Sequence, residues 1–277
     1  MNQTDSEKYA TWVSHSSIND FINCPRLYYY RHVYRDSLTG NKITRIEPSL
    51  ALGQAVHDVI ESISVLPARQ RLSISLIKRL EFEWSKISGE KGGFKSKSQE
   101  DEYKKRAILM LERISKNPGP IARQAIKIKS PDKLPPRYLI SQEENIILCG
   151  KIDWLEYLPE TESVHIIDFK TGKWDSVGSL QLPIYYLLAV NLQGREVKKA
   201  SYWYLDREDE PKEEVLPTVK DAEEKVIAIA KRIKLARQLE HFACPKGGCK
   251  YCFPYESIAK GKGKKVGESN YQDIYII

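Results

Sequence analysis

The segment HIIDFKTGK, residues 165–173, ends an apolar run with an acid and a base separated by one residue. Side chains alternate between the two faces of a strand, so Asp168 and Lys170 project to one side and Phe169 to the other. Two charges are costly to bury unless other groups hold them. Taken alone, such a pair is typical of a structural ion pair at the end of a strand.

A second acid, Asp153, lies in CGKIDWLEY, which predicts the preceding strand. If the two strands pair, Asp153 and Asp168 come close enough to share a hard divalent cation, for which Mg²⁺ and Mn²⁺ are the usual candidates. His57, in the helix predicted from LGQAVHDVIE, is either a packed core residue or a nitrogen ligand that suits Mn²⁺ better than Mg²⁺. Lys170 beside such a metal could orient a water or stabilise charge on a phosphate.

The segment QLPIYYLLAV follows the acid–lysine strand and predicts a helix. Gln181 and Tyr185 are four residues apart, so they lie on one face of that helix. Either this face packs in the ordinary way, or it presents both polar groups to the same site as Asp168 and Lys170.

The hydrophobic pattern predicts helices on both sides of a group of strands. Helices are expected at 14–32 with a break at Pro25, and at 49–65, 68–88, 98–116, 178–193 and 219–241. Strands are expected at 137–148, 150–157 and 163–170 as an antiparallel meander, with a fourth at 197–206. Residues 36–48 are expected to form a loop, and the basic tail from Lys260 is expected to be mobile at first.

Composition narrows the class of protein. The chain of 277 residues is 41% hydrophobic and 29% charged, which is ordinary for a globular protein. It has no apolar run of the roughly 20 residues that a membrane span needs. The N-terminus lacks the layout of a signal peptide, which predicts a cytoplasmic protein. The net charge of +7 suits a polyanionic partner such as nucleic acid.

The cysteines are unevenly distributed. They are Cys24, Cys149, Cys244, Cys249 and Cys252. Cys24 and the C-x4-C-x2-C run near the C-terminus could together form a four-thiolate site for Zn²⁺ or an iron–sulfur cluster. Alternatively, Cys24 is a small buried hydrophobe and the three C-terminal cysteines bind zinc with His241. Cys149 lies in an apolar strand and is assigned to packing.

Four motifs, GQAVH, GKID, DFKTG and QLPIY, occur in the order and with the spacing G-x-x-x-H, G-x-x-D, D-x-K-T-G and Q-x-x-x-Y. In this the sequence resembles the RecB-type branch of the PD-(D/E)XK nucleases, from about Ser14 to Tyr255. The resemblance implies an α/β fold with a restriction-endonuclease-like αβββαβ core, a mixed central sheet, a helical insertion and a C-terminal cluster-binding segment.

The resemblance also implies one nuclease domain over residues 1–277. Its parts would be cluster-linked helices at 14–48, a helical part with the histidine motif at 49–136, the catalytic sheet core at 137–206, a C-terminal helix with the cysteines at 207–257, and a basic tail at 258–277.

The resemblance assigns a role to each motif residue. It implies that His57, Asp153, Asp168 and the backbone carbonyl of Phe169 bind Mg²⁺ or Mn²⁺. It further implies that Lys170 is the catalytic lysine and that Gln181 and Tyr185 position DNA or the lysine.

The cysteine layout is similar to that of the iron–sulfur nucleases of this family, which include AddB-type helicase–nucleases and CRISPR-associated single-strand exonucleases. This implies a [4Fe–4S] cluster, with zinc as the alternative, on Cys24, Cys244, Cys249 and Cys252. The usual order is C-x2-C followed by a further cysteine, whereas here the additional cysteine precedes the C-x2-C.

The expected function is that of a metal-dependent DNA exonuclease acting on single strands or DNA ends in recombination, repair or CRISPR adaptation, with a helicase or CRISPR adaptation protein as a possible partner. Basic clusters and nearby tyrosines suit single-stranded DNA. These are Lys104–Arg106, Arg123–Lys133, Lys260–Lys265, Tyr28–Tyr30, Tyr202–Tyr204 and Tyr251–Tyr255. The alternative is a nucleic-acid-binding or assembly subunit that keeps the fold without cutting.

Overall fold

The computed structural model describes residues 9–130, 132, 134–269 and 271–277. Lys133, in one of the basic clusters, lies outside the described residues. The chain divides into two compact units, each assembled from segments that are distant in sequence. The first contains the described residues of Met1–Ile46, Pro135–Gly150 and Thr218–Ile277, and the second contains those of Glu47–Leu134 and Lys151–Pro217.

The strands and helices are numbered here in chain order. The strands are β1 Thr11–Val13, β2 Lys42–Arg45, β3 Arg137–Ser141, β4 Ile146–Cys149, β5 Trp154–Leu158, β6 Ser163–Lys170, β7 Val197–Tyr204, β8 Lys212–Glu213, β9 Lys264–Ser269 and β10 Gln272–Ile276. The helices are α1 His15–Asn23, α2 Pro25–Tyr28, α3 Pro48–Ser64, α4 Leu76–Ile87, α5 Lys97–Lys116, α6 Gln181–Leu192, α7 Val219–Gln238 and α8 Phe253–Ala259.

The second unit is built on a mixed sheet with the strand order β5-β6-β7-β8. Strand β6 pairs antiparallel with β5 and parallel with β7, and β7 pairs antiparallel with β8. A parallel pair needs a crossover connection, and helix α6 supplies it between β6 and β7. The mixed α/β fold predicted from the sequence is confirmed.

The predicted three-stranded meander is wrong at its first strand. Residues 137–148 form a hairpin of β3 and β4, and these two strands belong to a sheet with the order β1-β4-β3. The polar run SQEEN interrupts the apolar pattern, and Asn145 closes the turn with a φ of 49°. Asparagine tolerates this left-handed conformation better than most residues, so the chain reverses there instead of continuing as one strand.

An aromatic layer covers one face of the mixed sheet in the second unit. The Phe169 ring lies 6.2 Å from the Trp154 ring and 5.8 Å from the Trp203 ring, measured between centroids. The buried guanidinium of Arg71 lies 4.8 Å from the centre of the Trp154 ring and donates to the carbonyl of Ile121 at 2.8 Å. Because Phe169 turns into this layer, its neighbours Asp168 and Lys170 project from the opposite face.

A row of polar side chains crosses three strands of the same sheet. His165 Nδ1 lies 2.9 Å from Glu156 Oε2, and His165 Nε2 lies 2.7 Å from the hydroxyl of Ser201. Arg123 donates to the other Glu156 oxygen at 2.6 Å. These are the residue types of a hydrolytic triad, but Ser201 is only 1% exposed, so a substrate has no access to it. The row satisfies buried polar groups and stabilises the sheet.

The first unit contains the other two sheets. Helix α1 begins after Ser14, whose hydroxyl accepts from the Ser17 amide, so the predicted serine cap is confirmed. The predicted break at Pro25 is also confirmed, because α1 ends at Asn23 and α2 begins at Pro25. A π-helical turn follows at Tyr29–Val33.

The predicted loop at 36–48 is wrong at residues 42–45, and the tail beyond Lys260, whose initial mobility stays a prediction, contains two strands. Residues 42–45 form β2, which pairs parallel with β10, and β10 pairs antiparallel with β9. The completely buried Asp273 accepts from Thr39 at 2.6 Å and from Asn41 at 3.0 Å, and it lies 2.6 Å from Lys265 Nζ. Thr39 and Asp273 are 234 positions apart in the sequence, so no local pattern could indicate their contact.

The remaining helices agree with the predicted positions to within a few residues, except that α4 begins at Leu76 rather than at residue 68. Residues 68–70 form only a short 3₁₀ turn, and Ser75 precedes the helix. Among the described residues, none of the helices combines the length and apolarity that crossing a membrane demands.

The buried polar row leads to a prediction about stability. Ser201→Ala removes the partner of His165 Nε2 and leaves a buried polar atom unsatisfied, so we expect the free energy of unfolding to fall by about 1–3 kcal/mol. Urea denaturation followed by circular dichroism measures this. Ser85→Ala, at an exposed serine, serves as the control and should change stability by no more than about 0.5 kcal/mol. Equal effects of the two substitutions would contradict the structural role of the row.

Candidate functional site

Strand pairing in the second unit brings the two predicted acids together. In the antiparallel register of β5 and β6, Trp154 lies opposite Ile167, so the next position on each strand places Asp153 opposite Asp168. Asp153 lies immediately before β5, and its Oδ2 accepts from the backbone amide of Phe169 at 3.2 Å. The prediction that the acids share one end of the sheet is therefore what the structure shows.

Helix α6 holds the acid–lysine pair through a single amide. Gln181, the first residue of α6, donates from Nε2 to Asp168 Oδ1 at 2.5 Å, and its Oε1 accepts from Lys170 Nζ. Lys170 Nζ also lies 2.7 Å from Asp168 Oδ2. One turn later, the hydroxyl of Tyr185 accepts from Gln181 Nε2 at 3.2 Å. The Q-x-x-x-Y motif thus contacts the D-x-K motif directly.

Helix α3 brings His57 to the same end of the sheet. His57 Nδ1 lies 3.3 Å from Asp153 Oδ2. Gly53 lies one turn earlier on the helix, where a β-carbon would stand 3.2 Å from Thr171 Oγ1. The glycine of G-x-x-x-H therefore lets the helix approach the threonine of D-x-K-T-G closely.

Burial sets the protonation behaviour of the two acids. Burial raises the pKa of Asp153 to about 6, against the stabilising contacts of the Phe169 amide and Lys170. Burial and the neighbouring charge of Asp153 raise the pKa of Asp168 to about 7. Two carboxylates so close together in a site of low dielectric cannot both ionise readily without a positive partner.

Burial acts in the opposite direction on the base. It lowers the pKa of His57, which favours the neutral imidazole that a metal ion requires. Burial, followed by the charges of Asp153 and Asp168, raises the pKa of Tyr185 well above that of a free phenol. Tyr185 therefore remains a neutral hydrogen-bonding group near the acids.

The donor set fits a hard divalent cation. Asp168 is 1% exposed, and its Oδ2 lies 2.7 Å from Lys170 Nζ, the cation that balances its charge. Two carboxylates and a neutral imidazole are ligands that Mg²⁺ and above all Mn²⁺ accept. Lys170 and Gln181 both contact the Asp168 carboxylate and hold it in place.

Several contacts of this site are not indicated by the motifs. Lys170 Nζ lies 5.0 Å from the centre of the Tyr202 ring on the adjacent strand. Arg106 on α5 donates to Asp206 at 3.0 Å and reaches the Thr171 carbonyl at 3.5 Å. The basic cluster around Arg106 was the only signal in the sequence, and it indicated charge without a partner.

The four predicted cysteines meet in the first unit. The Sγ atoms of Cys24, Cys244, Cys249 and Cys252 all lie within 4.8 Å of one another. Cys24 stands between α1 and α2, and Cys252 immediately precedes α8. The alternative set with His241 in place of Cys24 is not the group that the described residues form.

The thiols form a buried site that could hold a metal. Cys24 and Cys252 are completely enclosed, and burial raises the pKa of Cys24 to about 12. Burial also acts on Cys249, but hydrogen bonds from the backbone of Cys252 and Tyr251 bring its pKa down to about 7. A metal supplies the positive charge that keeps all four deprotonated. Cys149 lies apart at the end of β4, where burial raises its pKa to about 11.

Comparison with known proteins identifies the family. The model of the PD-(D/E)XK nuclease superfamily matches residues 12–258, and the chain belongs to this superfamily. No curated protein matches the chain. Among solved structures, the chain is similar to a candidate exonuclease from Eubacterium rectale, with 13% sequence identity, coverage of 91% of this chain and 90% of that chain, and a TM-score of 0.48. A likeness at that level adds nothing to the family assignment.

The paired acids lead to a prediction about pH and metal. A carboxyl with a raised pKa holds its proton more tightly in the folded protein than in the unfolded chain, where its pKa is about 4. Without metal, the free energy of unfolding should therefore fall as the pH rises from about 4 through the Asp168 value of about 7.

Asp153→Asn removes one of the two charges. We expect it to raise the melting temperature in EDTA at pH 7.5, flatten the pH dependence and abolish the increase in melting temperature that Mn²⁺ produces in the wild type. Thermal unfolding with and without Mn²⁺ measures all three. Asp101→Asn, at an exposed position on α5, is the control and should leave the Mn²⁺ effect intact. A wild-type response to Mn²⁺ in Asp153→Asn would exclude Asp153 as a ligand.

Proposed function

We propose that this protein is a metal-dependent DNA exonuclease that hydrolyses phosphodiester bonds, acting on single strands or on DNA ends. The observation that carries the proposal is the joint contact of Gln181 with Asp168 and Lys170 beside Asp153 and His57. Membership of a nuclease superfamily supports the same chemistry. The net charge of +7 supports a polyanionic substrate.

In this proposal the ligands of one or two Mg²⁺ or Mn²⁺ ions are His57, Asp153, Asp168 and the carbonyl of Phe169. When bound, such ions activate water and neutralise charge on the scissile phosphate. The carboxylates lose their raised-pKa protons as the site fills. The backbone amide of Phe169 keeps Asp153 in place, and Gln181 keeps Asp168 in place.

Lys170 is the group that meets the substrate. The side chain of Lys170 is 21% exposed, while that of Asp168 is 1% exposed, so the lysine is the more accessible member of the pair. From there its Nζ can donate a hydrogen bond to the attacking oxygen or to a non-bridging phosphate oxygen. Gln181 accepts from Nζ and therefore limits the positions that the ammonium can take.

Substitution of the pair tests the reaction. We expect Lys170→Ala to lower the cleavage rate by about 10²- to 10³-fold, as the loss of a group that stabilises developing charge does. Asp168→Ala should abolish cleavage, and DNA binding should largely survive in both. The assay is release of label from end-labelled DNA with Mn²⁺. The control is Lys173→Ala, which removes the exposed lysine immediately after the D-x-K-T-G motif. Full activity of Lys170→Ala or Asp168→Ala would refute the assignment.

The same assay separates the finer alternatives. A closed circular single strand has no end, so an exonuclease should leave it intact while degrading the linear form; cleavage of the circle would show an endonuclease. A protein that binds both forms and cuts neither would be the non-cleaving subunit. The complete set of acids and lysine argues against that subunit.

We further propose that the protein acts in the cytoplasm, in recombination, repair or CRISPR adaptation, together with a helicase or an adaptation partner.

The four cysteines are proposed to hold a structural metal centre. The resemblance to iron–sulfur nucleases supports a [4Fe–4S] cluster. The separation of the sulfur atoms, at most 4.8 Å, is closer to that of one tetrahedral Zn²⁺, whose bonds of about 2.3 Å hold thiolates about 3.8 Å apart. A cubane stands between its thiolates and keeps them farther apart. Metal analysis and the visible absorption spectrum of anaerobically purified protein decide between the two.

With either metal, the centre should be part of the folding energy of its unit. Cys24→Ala is expected to lose the metal, and any visible absorbance with it, together with soluble yield. Cys149→Ala is the matched control because Cys149 lies outside the group, and it should keep a full complement of metal. A wild-type protein that folds without metal, or Cys24→Ala with unchanged metal content, would refute the structural centre.

A further inference from the structure

The first unit contains a groove that none of the functions above uses. It has a volume of about 650 Å³, within the range of about 300–1,000 Å³ that is typical of binding sites for small molecules. Its walls come from the turn after α2 and from the end of α7. They are formed by Arg26, Tyr29, Tyr30, Val33, Arg237, Glu240 and Phe242.

Aromatic rings form one side of the groove. The ring of Tyr29 lies 5.3 Å from that of Tyr30 and 5.3 Å from that of Phe242, measured between centroids. Behind them, Phe242 stacks on the buried Tyr28 at 6.0 Å. Tyr29, Tyr30 and Phe242 are themselves only half-buried. Partly exposed rings supported by a buried one form a rigid platform, and flat π-systems such as nucleobases stack on such platforms.

Guanidinium groups form the other side. Arg237 donates to the Tyr28 hydroxyl at 3.2 Å, and Arg26 donates to the Gly247 carbonyl at 3.1 Å, so both are held in place by neutral groups. Arg26 also lies 3.5 Å from Glu256. Glu240 is the acidic member of the lining.

The backbone of the lining is unusual at two places. Tyr29 and Tyr30 belong to a π-helical turn, a form that is rare and frequent at functional sites. Glu240 adopts a left-handed conformation with a φ of 50°, which non-glycine residues seldom take.

We propose that this groove binds an unpaired nucleobase of single-stranded DNA, with the base stacked on Tyr29 and Phe242 and the adjoining phosphate contacted by Arg237. The proposal deepens the proposed function, on which it rests for the choice of DNA. Stacking rings beside cations are the means by which proteins hold single strands without reading their sequence. A base pair within a duplex offers no free face to the rings, so the groove should discriminate against duplex DNA.

Binding in the absence of cleavage tests the proposal. The affinity of the full-length protein for a fluorescein-labelled oligothymidylate is measured by anisotropy in EDTA, so that the nuclease reaction plays no part. Tyr29→Leu keeps an apolar side chain without a ring and should weaken binding by on the order of tenfold. Tyr29→Phe keeps the ring and should bind as the wild type does. Unchanged binding by Tyr29→Leu would overturn the stacking role.

Charge substitutions provide a second, independent readout. Arg237→Gln should weaken binding and reduce the slope of log K against log salt by about 0.7, the value for one phosphate contact of a single strand. Glu240→Gln should strengthen binding, because it removes the acidic member of the lining. The matched control is Lys225→Gln, which removes an exposed lysine from the same helix as Arg237. Equal losses in Arg237→Gln and Lys225→Gln would reduce the effect to net charge and refute the groove.

The outcomes separate this inference from the proposed function. If the substitutions change binding as expected but the protein cuts no DNA, the groove proposal stands and the exonuclease proposal is wrong. If the protein cuts DNA but Tyr29→Leu and Arg237→Gln bind the oligonucleotide normally, the exonuclease proposal stands and the groove proposal is wrong. If ATP at the same concentration as the oligonucleotide competes with it for binding, the groove binds a free nucleotide and the proposal of a DNA strand is wrong.

Discussion

The second unit depends on the burial of two carboxylates side by side. The register of β5 and β6 places Asp153 opposite Asp168, in surroundings where two negative charges repel each other strongly. The fold reduces this cost with the Phe169 amide, Lys170 and Gln181, yet burial still raises the pKa of both carboxyls. The arrangement is unfavourable for the protein alone and favourable for a cation. The two buried acids lower the stability of the metal-free protein and offer ligands to a cation.

The elements around the acids serve to maintain that arrangement. The parallel pairing of β6 and β7 requires a crossover, and the first residue of the crossover helix is the one whose amide contacts both Asp168 and Lys170. The aromatic layer on the other face turns Phe169 inward and so fixes the outward direction of its neighbours. The close approach at Gly53 brings His57 to the same edge. Topology and packing thus determine the chemistry.

The first unit repeats the same physical principle with softer ligands. Four thiols whose sulfur atoms lie within 4.8 Å of one another among apolar side chains form a group that could hold a metal ion. Their positions connect the turn between α1 and α2 to the start of α8. The groove lined by Tyr29 and Arg237 is built on the same first helices, so a metal that orders these helices also orders the proposed base-binding surface.

The local sequence determined which side of a helix or strand each residue occupies and where most helices begin and end. Hydrophobic periodicity, the cap at Ser14 and the break at Pro25 all act over short distances. Motif order was enough to predict which side chains lie together at that end of the sheet. Tertiary structure alone decided that residues 137–148 turn back at Asn145 and that the tail pairs with β2, since those choices depend on partners far away in the chain. It also decided the groove, whose rings and guanidinium groups come from segments about 200 positions apart, a distance at which no local pattern carries information.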